Sequence, residues 1–199
     1  MMKKIEGFSF KNEYKKSWDY IKKSKNFIYI GGIIFFVFTF IAFIFPIPEF
    51  FSEQLLKIIQ ELVDKTKEMS QGELVNYIFF NNLKSSFFGI ILGIAFGIFP
   101  ILFAIFNGYL LGFVALMAVN EAGILSMWRI LPHGIFELPA IFISLGLGLK
   151  LATFVFQKNR SESLKDFLWN SFRVFLFIVV PLLVIAAIIE GSLIAFAGG

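Results

Sequence analysis

Two ionisable side chains stand four residues apart inside a long apolar part of the sequence. They are His133, the one histidine of the chain, and Glu137. On an α-helix this spacing places both side chains on one face, one turn apart. An ionisable group in a membrane helix is costly, so it normally faces the protein interior and has a partner there. The pair is therefore the first candidate for a functional site.

Three interpretations of the His133–Glu137 pair are open. We favour a buried structural network that includes Arg129, one turn earlier, because polar groups without water must find partners inside the protein. The second interpretation is a proton or ion path, since acids within membranes often mark such paths. The third is a metal or hydrolytic site, although one histidine and a few acids offer few of the ligands that zinc sites use.

Sequence patterns typical of enzymes are missing from the chain. It contains no HExxH pair, no GxSxG element, no phosphate-binding loop and no cysteine. These patterns would supply a metal-bound water, a serine nucleophile, a phosphate cradle or a thiolate ligand. We therefore expect a protein that is not an enzyme, with no catalytic residues, no metal ion and no cofactor.

The composition is that of an integral membrane protein. Of the 199 residues, 58% are hydrophobic and 16% are charged, 29 are phenylalanine, and the mean hydropathy is +0.81. In soluble domains, roughly a quarter of the residues are charged. One small core could not bury this much apolar surface. The sequence pI near 9.2 would suit nucleic acid. The placement of the lysines instead favours a cytoplasmic membrane face, so we expect the lipid bilayer as a partner and no nucleic acid.

The apolar stretches predict an all-α polytopic helix bundle, with residues 1–199 forming a single membrane domain. Phe27–Phe45 has 19 uncharged residues, enough to cross a hydrocarbon core of about 30 Å. The sequence Gly97-Ile98-Phe99-Pro100 is the natural turn between the second and third spans, because proline begins helices and cannot continue them. Pro181 and Gly191 are expected to interrupt the last span. The five predicted transmembrane helices cover about 27–45, 82–98, 100–120, 133–156 and 172–196.

Two amphipathic helices are expected outside the spans, at 8–24 and 49–70. Residues 1–26 carry eight lysines against three acids, a net charge of +5, and residues 46–84 carry six acids against four lysines, a net charge of −2. The first segment suits either a helix in the headgroup layer or a solvated tail. The second follows a 3.6-residue period and is predicted to break at Gly72. It would pack against the spans or the membrane surface, or dock a partner.

The distribution of basic residues predicts the orientation in the membrane. The N-terminal segment 1–26 and the loop 157–171 are both basic, and five spans place them on the same side. The positive-inside rule makes that side cytoplasmic. We therefore predict a multi-pass protein of the cell membrane with a cytoplasmic N-terminus, an external segment 46–84 and an external C-terminus.

Small residues recur every four positions on three of the predicted spans. In lipid, helices associate by close backbone approach, which such spacing permits. We expect the second, third and fourth spans to form the tight centre, with the first and last facing lipid. The helix-packing residues are Gly89, Gly93 and Gly97 in the second span, Ala140, Ser144 and Gly148 in the fourth, and Gly108 and Gly112 in the third.

Most of the scarce polar residues are predicted to gather near the outer half of the membrane. Ala140 and Ser144 follow Glu137 on the same helix face, so that carboxylate should point into the bundle. Asn107-Gly108 predicts a helix break near mid-membrane, either satisfied by a neighbour or, as in some transporters, marking a pore or substrate contact. A rival interpretation makes residues 108–119 re-entrant. The candidate polar cluster comprises Asn81, Asn82, Asn120, Arg129, His133, Glu137 and Glu190.

The same residues resemble a known family. Pro132-His133-Gly134-Ile135-Phe136-Glu137-Leu138-Pro139-Ala140, followed by Gly146 and Gly148, is similar to an element of the stage II sporulation protein M (DUF95) family. The glycine-spaced second span, Asn81-Asn82 and Asn107-Gly108 add to the likeness, which covers roughly residues 20–197. The resemblance implies a multi-pass membrane protein. In endospore formers it implies an anchor that recruits a cell-wall-degrading complex with two partner proteins.

We therefore expect a non-enzymatic membrane scaffold that organises a partner complex, with protein partners in the membrane or outside it. Whether it forms a homo-oligomer is left open. The alternative is a transporter or channel for a small solute or ion, with Glu137 and Asn107 on the path. A weaker third hypothesis, an intramembrane enzyme, would need a metal ion near His133.

Overall fold

The computed structural model describes residues 9–45, 48–129 and 131–197, and within these ranges all side chains except those of 127–129, 131–133 and 194–197. The described chain is almost entirely helical and contains no strand, and five of its helices are long and apolar enough to cross a membrane. The all-α fold and the prediction of five helices of membrane-spanning length are thereby confirmed. The helices are α1 (Phe10–Ile44), α2 (Glu49–Thr66), α3 (Gln71–Ile91), α4 (Ile98–Ala122), α5 (Leu131–Ala152), α6 (Arg160–Val174) and α7 (Val180–Ala197).

The predicted surface helix at 8–24 is not a separate element over its described residues. Helix α1 continues from the first span back to Phe10 and comprises 35 residues, about 52 Å at 1.5 Å per residue. The reason is its buried face: Ser17, Tyr20 and Ser24 are inaccessible or nearly so, because this part of α1 packs against α6. The lysines of α1 that suggested a headgroup-layer helix lie on the other, exposed faces of this helix.

Helix α2 occupies the predicted amphipathic segment, and the helix boundary that follows it is set by a capping box. Ser70 Oγ accepts a hydrogen bond from the Glu73 backbone N–H, and the Glu73 carboxylate accepts one from the Ser70 N–H at 2.8 Å. This reciprocal pairing satisfies helix N–H groups that have no partner within the helix. Helix α3 therefore begins at Gln71. The predicted break between two helices is present, but it lies at 67–70 and not at Gly72, which is in the first turn of α3.

The predicted turn between the second and third spans is confirmed. A 3₁₀ turn at Leu92–Ile94 ends α3, and Gly97 then adopts φ = +73°, a left-handed conformation that glycine accepts without steric cost. Helix α4 begins at the next residue, with Pro100 in its first turn. Proline is tolerated there because the first N–H groups of a helix have no partner in the helix anyway.

The predicted helix break at Asn107-Gly108 is wrong. Helix α4 runs without interruption from Ile98 to Ala122 and is long enough to cross the membrane, which also removes the re-entrant alternative. Two contacts explain its continuity. The Asn107 side chain donates a hydrogen bond to the Phe103 carbonyl of its own helix at 2.8 Å. Gly108 is a contact point, because a Cβ there would overlap the Phe35 carbonyl of α1.

Pro181 and Gly191 do not interrupt the last span. Helices α6 and α7 form one continuous rod, joined by a π-helical turn at Phe175–Val179. This turn ends two residues before Pro181, whose missing N–H cannot complete the α-helical ladder. Gly191 lets α7 approach α3, where a Cβ would meet Val75.

Helix α5 lies at the centre of the bundle, and α1, α3, α4 and α7 all pack against it. The predicted arrangement, with only the second, third and fourth spans at the centre, is wrong in two respects. Helix α1 packs along α4 through Gly108 and Gly112, and α7 packs against both α3 and α5. One cluster of buried side chains unites α5 and α7, with Leu147, Val179 and Leu183 almost inaccessible.

The closest helix contact offers a direct test of this packing. A Cβ at Gly93 would overlap the Gly148 backbone, whereas nothing lies within 4 Å of a Cβ at Gly72. We expect Gly93→Leu to lower the free energy of unfolding by about 2 kcal/mol or more, because the 3₁₀ turn that ends α3 must separate from α5. Thermal unfolding in detergent would measure this. Gly72→Leu and Phe40→Leu, at an exposed position of α1, are the controls, and equal tolerance of all three would contradict the packing.

Candidate functional site

A large apolar pocket opens between α1, α4 and α5. Its volume is about 850 Å³, and its walls are mainly phenylalanine, leucine and other aliphatic side chains. Polar groups in the wall are few, and they include Glu137 from α5, Glu190 from α7 and Asn107 from α4. The residues lining this apolar pocket are Phe35, Phe36, Thr39, Phe40, Phe43, Asn107, Leu110, Leu111, Val114, Ala115, Ile124, Gly134, Ile135, Glu137, Leu138, Ile141 and Glu190.

A smaller polar cavity lies between α3, α4 and α5. Its volume is about 70 Å³, room for a few water molecules, each of which needs about 10–15 Å³ of such space. More than half of its lining residues carry a polar side chain. They are Asn81, Asn82, Ser85, Ser86, Gly89, Phe103, Asn107, Glu137, Ile141, Ser144 and Leu145.

Glu137, Asn107 and Ile141 line both spaces, so the carboxyl group of Glu137 stands at the junction of the apolar pocket and the polar cavity. Asn82 lines the polar cavity together with Glu137, and Glu190 lines the apolar pocket together with it. Glu137 is thus set among groups of three other helices. This is the inward orientation that its helix face predicted.

Hydrogen bonds within α4 and α5 determine which polar atoms of the cavity stay available to bind a ligand. Asn107 uses its Nδ2 group on the Phe103 carbonyl, and Ser144 uses its hydroxyl hydrogen on the Ala140 carbonyl at 2.9 Å. Ser86 is 3% exposed, and within the described chain its Oγ has no hydrogen-bond partner. The cavity is therefore rich in oxygen acceptors, and the donor groups that Asn107 and Ser144 use on backbone carbonyls are already engaged.

The structure brings together four residues of the predicted cluster, Asn81, Asn82, Glu137 and Glu190, and adds Asn107, which was predicted as a helix break.

Other members of the predicted cluster lie elsewhere or outside the description. Asn120 is exposed near the end of α4 and lines neither space. The side chains of His133 and Arg129 lie outside the described residues, so the interpretations that depend on His133 stay predictions. Among the described residues, no group of three or more His, Cys, Asp or Glu side chains is placed to hold a metal ion.

Sequence analysis missed Ser85 and Ser86. The signal was present, because Asn81 and Ser85, and likewise Asn82 and Ser86, are four residues apart and share a helix face. Ser144 was predicted only as a packing residue. In the structure it serves both purposes, since its backbone lies within the buried stretch of α5 and its Oγ lines the polar cavity.

A second polar cluster fixes the basic end of the bundle. Lys150 of α5 donates a hydrogen bond to Ser24 Oγ at 3.0 Å, and its Nζ lies 3.8 Å from the centre of the Tyr20 ring. Arg173 of α6 pairs with Glu13 of α1 at 2.6 Å. These contacts join α1, α5 and α6, and they explain why α1 stays helical beyond its apolar part.

Comparison with known proteins now assigns the family. The family model of stage II sporulation protein M matches residues 30–193. The chain belongs to this family. The matched range contains the residues given above as lining the apolar pocket and the polar cavity, and Lys150 and Arg173 of the cluster at the basic end. The stage II sporulation protein M assignment thus confirms the resemblance carried by the His133–Glu137 element.

A relative from the archaeon Methanocaldococcus jannaschii is an uncharacterized protein. It is 32% identical to this chain over 148 residues, which are 64% of this chain and 80% of the relative. No solved structure matches the chain significantly.

Proposed function

We propose that this protein is a non-enzymatic scaffold of the cell membrane that organises a partner complex. Membership of the stage II sporulation protein M family supports a membrane-associated role of the sporulation type. The single observation that carries the scaffold proposal is helix α2, which extends from the bundle with an apolar face that the bundle does not cover.

Helix α2 is amphipathic but makes no more than isolated contacts with any other described helix. Leu55 is its one buried residue, and Lys65 lies over the Tyr77 ring of α3. An apolar helical face left open beside a bundle favours docking into a groove of a partner. Its charges, four acids against two lysines, favour a partner whose groove is rimmed by basic residues. The large apolar side chains that α2 exposes are Phe50, Phe51, Leu56, Ile58, Leu62 and Val63.

The proposed orientation places α2 outside the cell. The bundle end held by Lys150, Arg173 and the lysines of α1 would be cytoplasmic by the positive-inside rule. Helix α2 follows the other end of α1, so a partner that binds it would be an external protein or an external part of a membrane protein.

Cysteine crosslinking tests the scaffold proposal, because the natural chain contains no cysteine. We expect Ile58→Cys, on the apolar face of α2, to form an adduct with a second, distinct protein. The reagent is a membrane-impermeant thiol-reactive photocrosslinker applied to intact native cells, and mass spectrometry identifies the adduct. Gln60→Cys, on the polar face, is the matched control and should give much less adduct. Repeated recovery of the protein alone, or only with its own copy, would contradict the proposal.

The site supports transport of an ion or small solute as a second candidate function. The observation that favours it is the meeting of the apolar pocket and the polar cavity at Glu137. Carboxylates that face the interior of a membrane bundle often lie on such paths. Transport would not need a broken helix here, because the cavity lies between continuous helices.

Flux measurements distinguish the second candidate from the first. If the protein transports Na⁺, wild-type proteoliposomes should take up radioactive sodium and Glu137→Gln should lose that uptake, because the variant removes the buried charge and keeps the side-chain shape. Glu121→Gln, at an exposed position at the end of α4, should keep it. Wild-type protein without any flux, but with a partner captured by α2, would leave the scaffold as the sole function.

A further inference from the structure

We propose that the polar cavity between α3, α4 and α5 is a binding site for one Na⁺ ion. The oxygen atoms of Glu137, Asn107, Ser86 and Ser144 would coordinate the ion. The inference is independent of the scaffold proposal, and it gives the transport candidate a specific ion.

The balance of donors and acceptors in the polar cavity favours a cation over an anion. The Asn107 Nδ2 group and the Ser144 hydroxyl hydrogen are engaged with backbone carbonyls. Their oxygens therefore offer lone pairs to the cavity, as the Glu137 carboxylate does, and the side chains of the other polar lining residues, Asn81, Asn82, Ser85 and Ser86, also carry oxygen acceptors. Among the described residues, no lysine or arginine lines the cavity to attract an anion. Oxygen ligands of this kind suit hard cations.

Ser86 provides an independent indication that something occupies the cavity. A buried polar atom normally has a hydrogen-bond partner, and one without a partner costs about 1–3 kcal/mol. Ser86 Oγ is such an atom, and it lines the cavity about one turn beyond Asn82 on the same face of α3. A bound ion, with or without a water molecule, would supply the missing contact.

Size and charge favour a monovalent ion. The cavity of about 70 Å³ has room for an ion with few water molecules, so protein oxygens must replace most of its hydration shell. Its lining contains one carboxylate, Glu137, with Glu190 close by. Divalent calcium sites usually take six to eight oxygen ligands with several carboxylates, and magnesium keeps much of its water. A monovalent cation would instead neutralise the negative charge of the Glu137 carboxylate, because a charge within the membrane otherwise costs free energy.

The proposed Na⁺ site does not need an unwound helix. In many transporters, Na⁺ is held by backbone carbonyls that an unwound helix exposes. Here α4 remains helical through Asn107, and the side-chain amides and hydroxyls on α3, α4 and α5 provide the oxygens instead. The ion would link three helices and stabilise their association.

Ligand-dependent thermal stability of the purified full chain tests the Na⁺ site. A ligand that binds only the folded state raises the unfolding temperature as its concentration rises. We expect NaCl to raise the unfolding temperature above that in choline chloride at equal ionic strength, with saturation. KCl should act more weakly, and equilibrium binding of radioactive sodium should approach one ion per chain. No difference between NaCl and choline chloride, or stabilisation by K⁺ alone or by acidification alone, would overturn the proposal.

Two variants of cavity residues and one control variant test whether Na⁺ binds in the polar cavity. Glu137→Gln should abolish the sodium-dependent shift. Ser86→Ala should raise the half-saturating Na⁺ concentration by about tenfold, as expected for losing one contact to a charged group. The control is Ser171→Ala, because Ser171 is equally buried and its Oγ also has no partner within the described chain, but it lies outside the cavity. It should bind Na⁺ like the wild type.

The combined outcomes separate this inference from the proposed functions. Sodium binding that survives Glu137→Gln and Ser86→Ala unchanged would overturn the site. If Glu137→Gln does not fold, Ser86→Ala still decides the question. Na⁺ binding without flux supports the ion site and removes transport, whereas loss of the partner adduct affects only the scaffold proposal.

Discussion

The close backbone approach of α5 to its neighbours is the constraint on which the rest of the structure depends. Lipid tails are as apolar as leucine, so the hydrophobic effect does not drive membrane helices together, and packing at short distance must do so. Gly148 lets α5 meet the backbone of α3 at Gly89, Gly93 does the same in the 3₁₀ turn that ends α3, and Gly146 lets α1 cross close to α5. A side chain at Gly93, Gly146 or Gly148 would overlap the facing backbone.

This close packing determines where polar groups can lie. The glycine and small-residue face of α5 is also the face that carries Glu137, so tight packing turns this carboxyl group away from lipid. The same contacts bring Asn82 and Ser86 of α3 and Asn107 of α4 to it, where they line one cavity. At the basic end, Lys150 and Arg173 of the bundle hold Ser24 and Glu13 of α1. The bundle therefore has two polar clusters, one acidic and rich in oxygen acceptors, the other basic.

Much of this fold is predictable from the sequence because hydrophobic length and glycine spacing are local signals. The five spans, the turn at Gly97 and the inward face of Glu137 follow from them directly. Part of what failed depended on partners distant in sequence. Asn107-Gly108 has the composition of a helix break. In the structure, Gly108 instead leaves room for the Phe35 carbonyl of α1, and the Asn107 side chain donates a hydrogen bond to a carbonyl of its own helix. The inward position of α7 and the helical extension of α1 likewise depend on contacts that no single segment reveals.

The central claim is that packing at α5 gathers the polar side chains of separate helices around Glu137, and one distance measurement tests it most directly. In the natural cysteine-free chain, the pair Asn82→Cys and Glu137→Cys would be treated in native membranes with a short bifunctional thiol reagent. We expect efficient crosslinking within one chain, found by mass spectrometry of the joined peptides, and little for Asn120→Cys with Glu137→Cys. Absence of the first crosslink, while both cysteines react singly with the same reagent, would contradict the account.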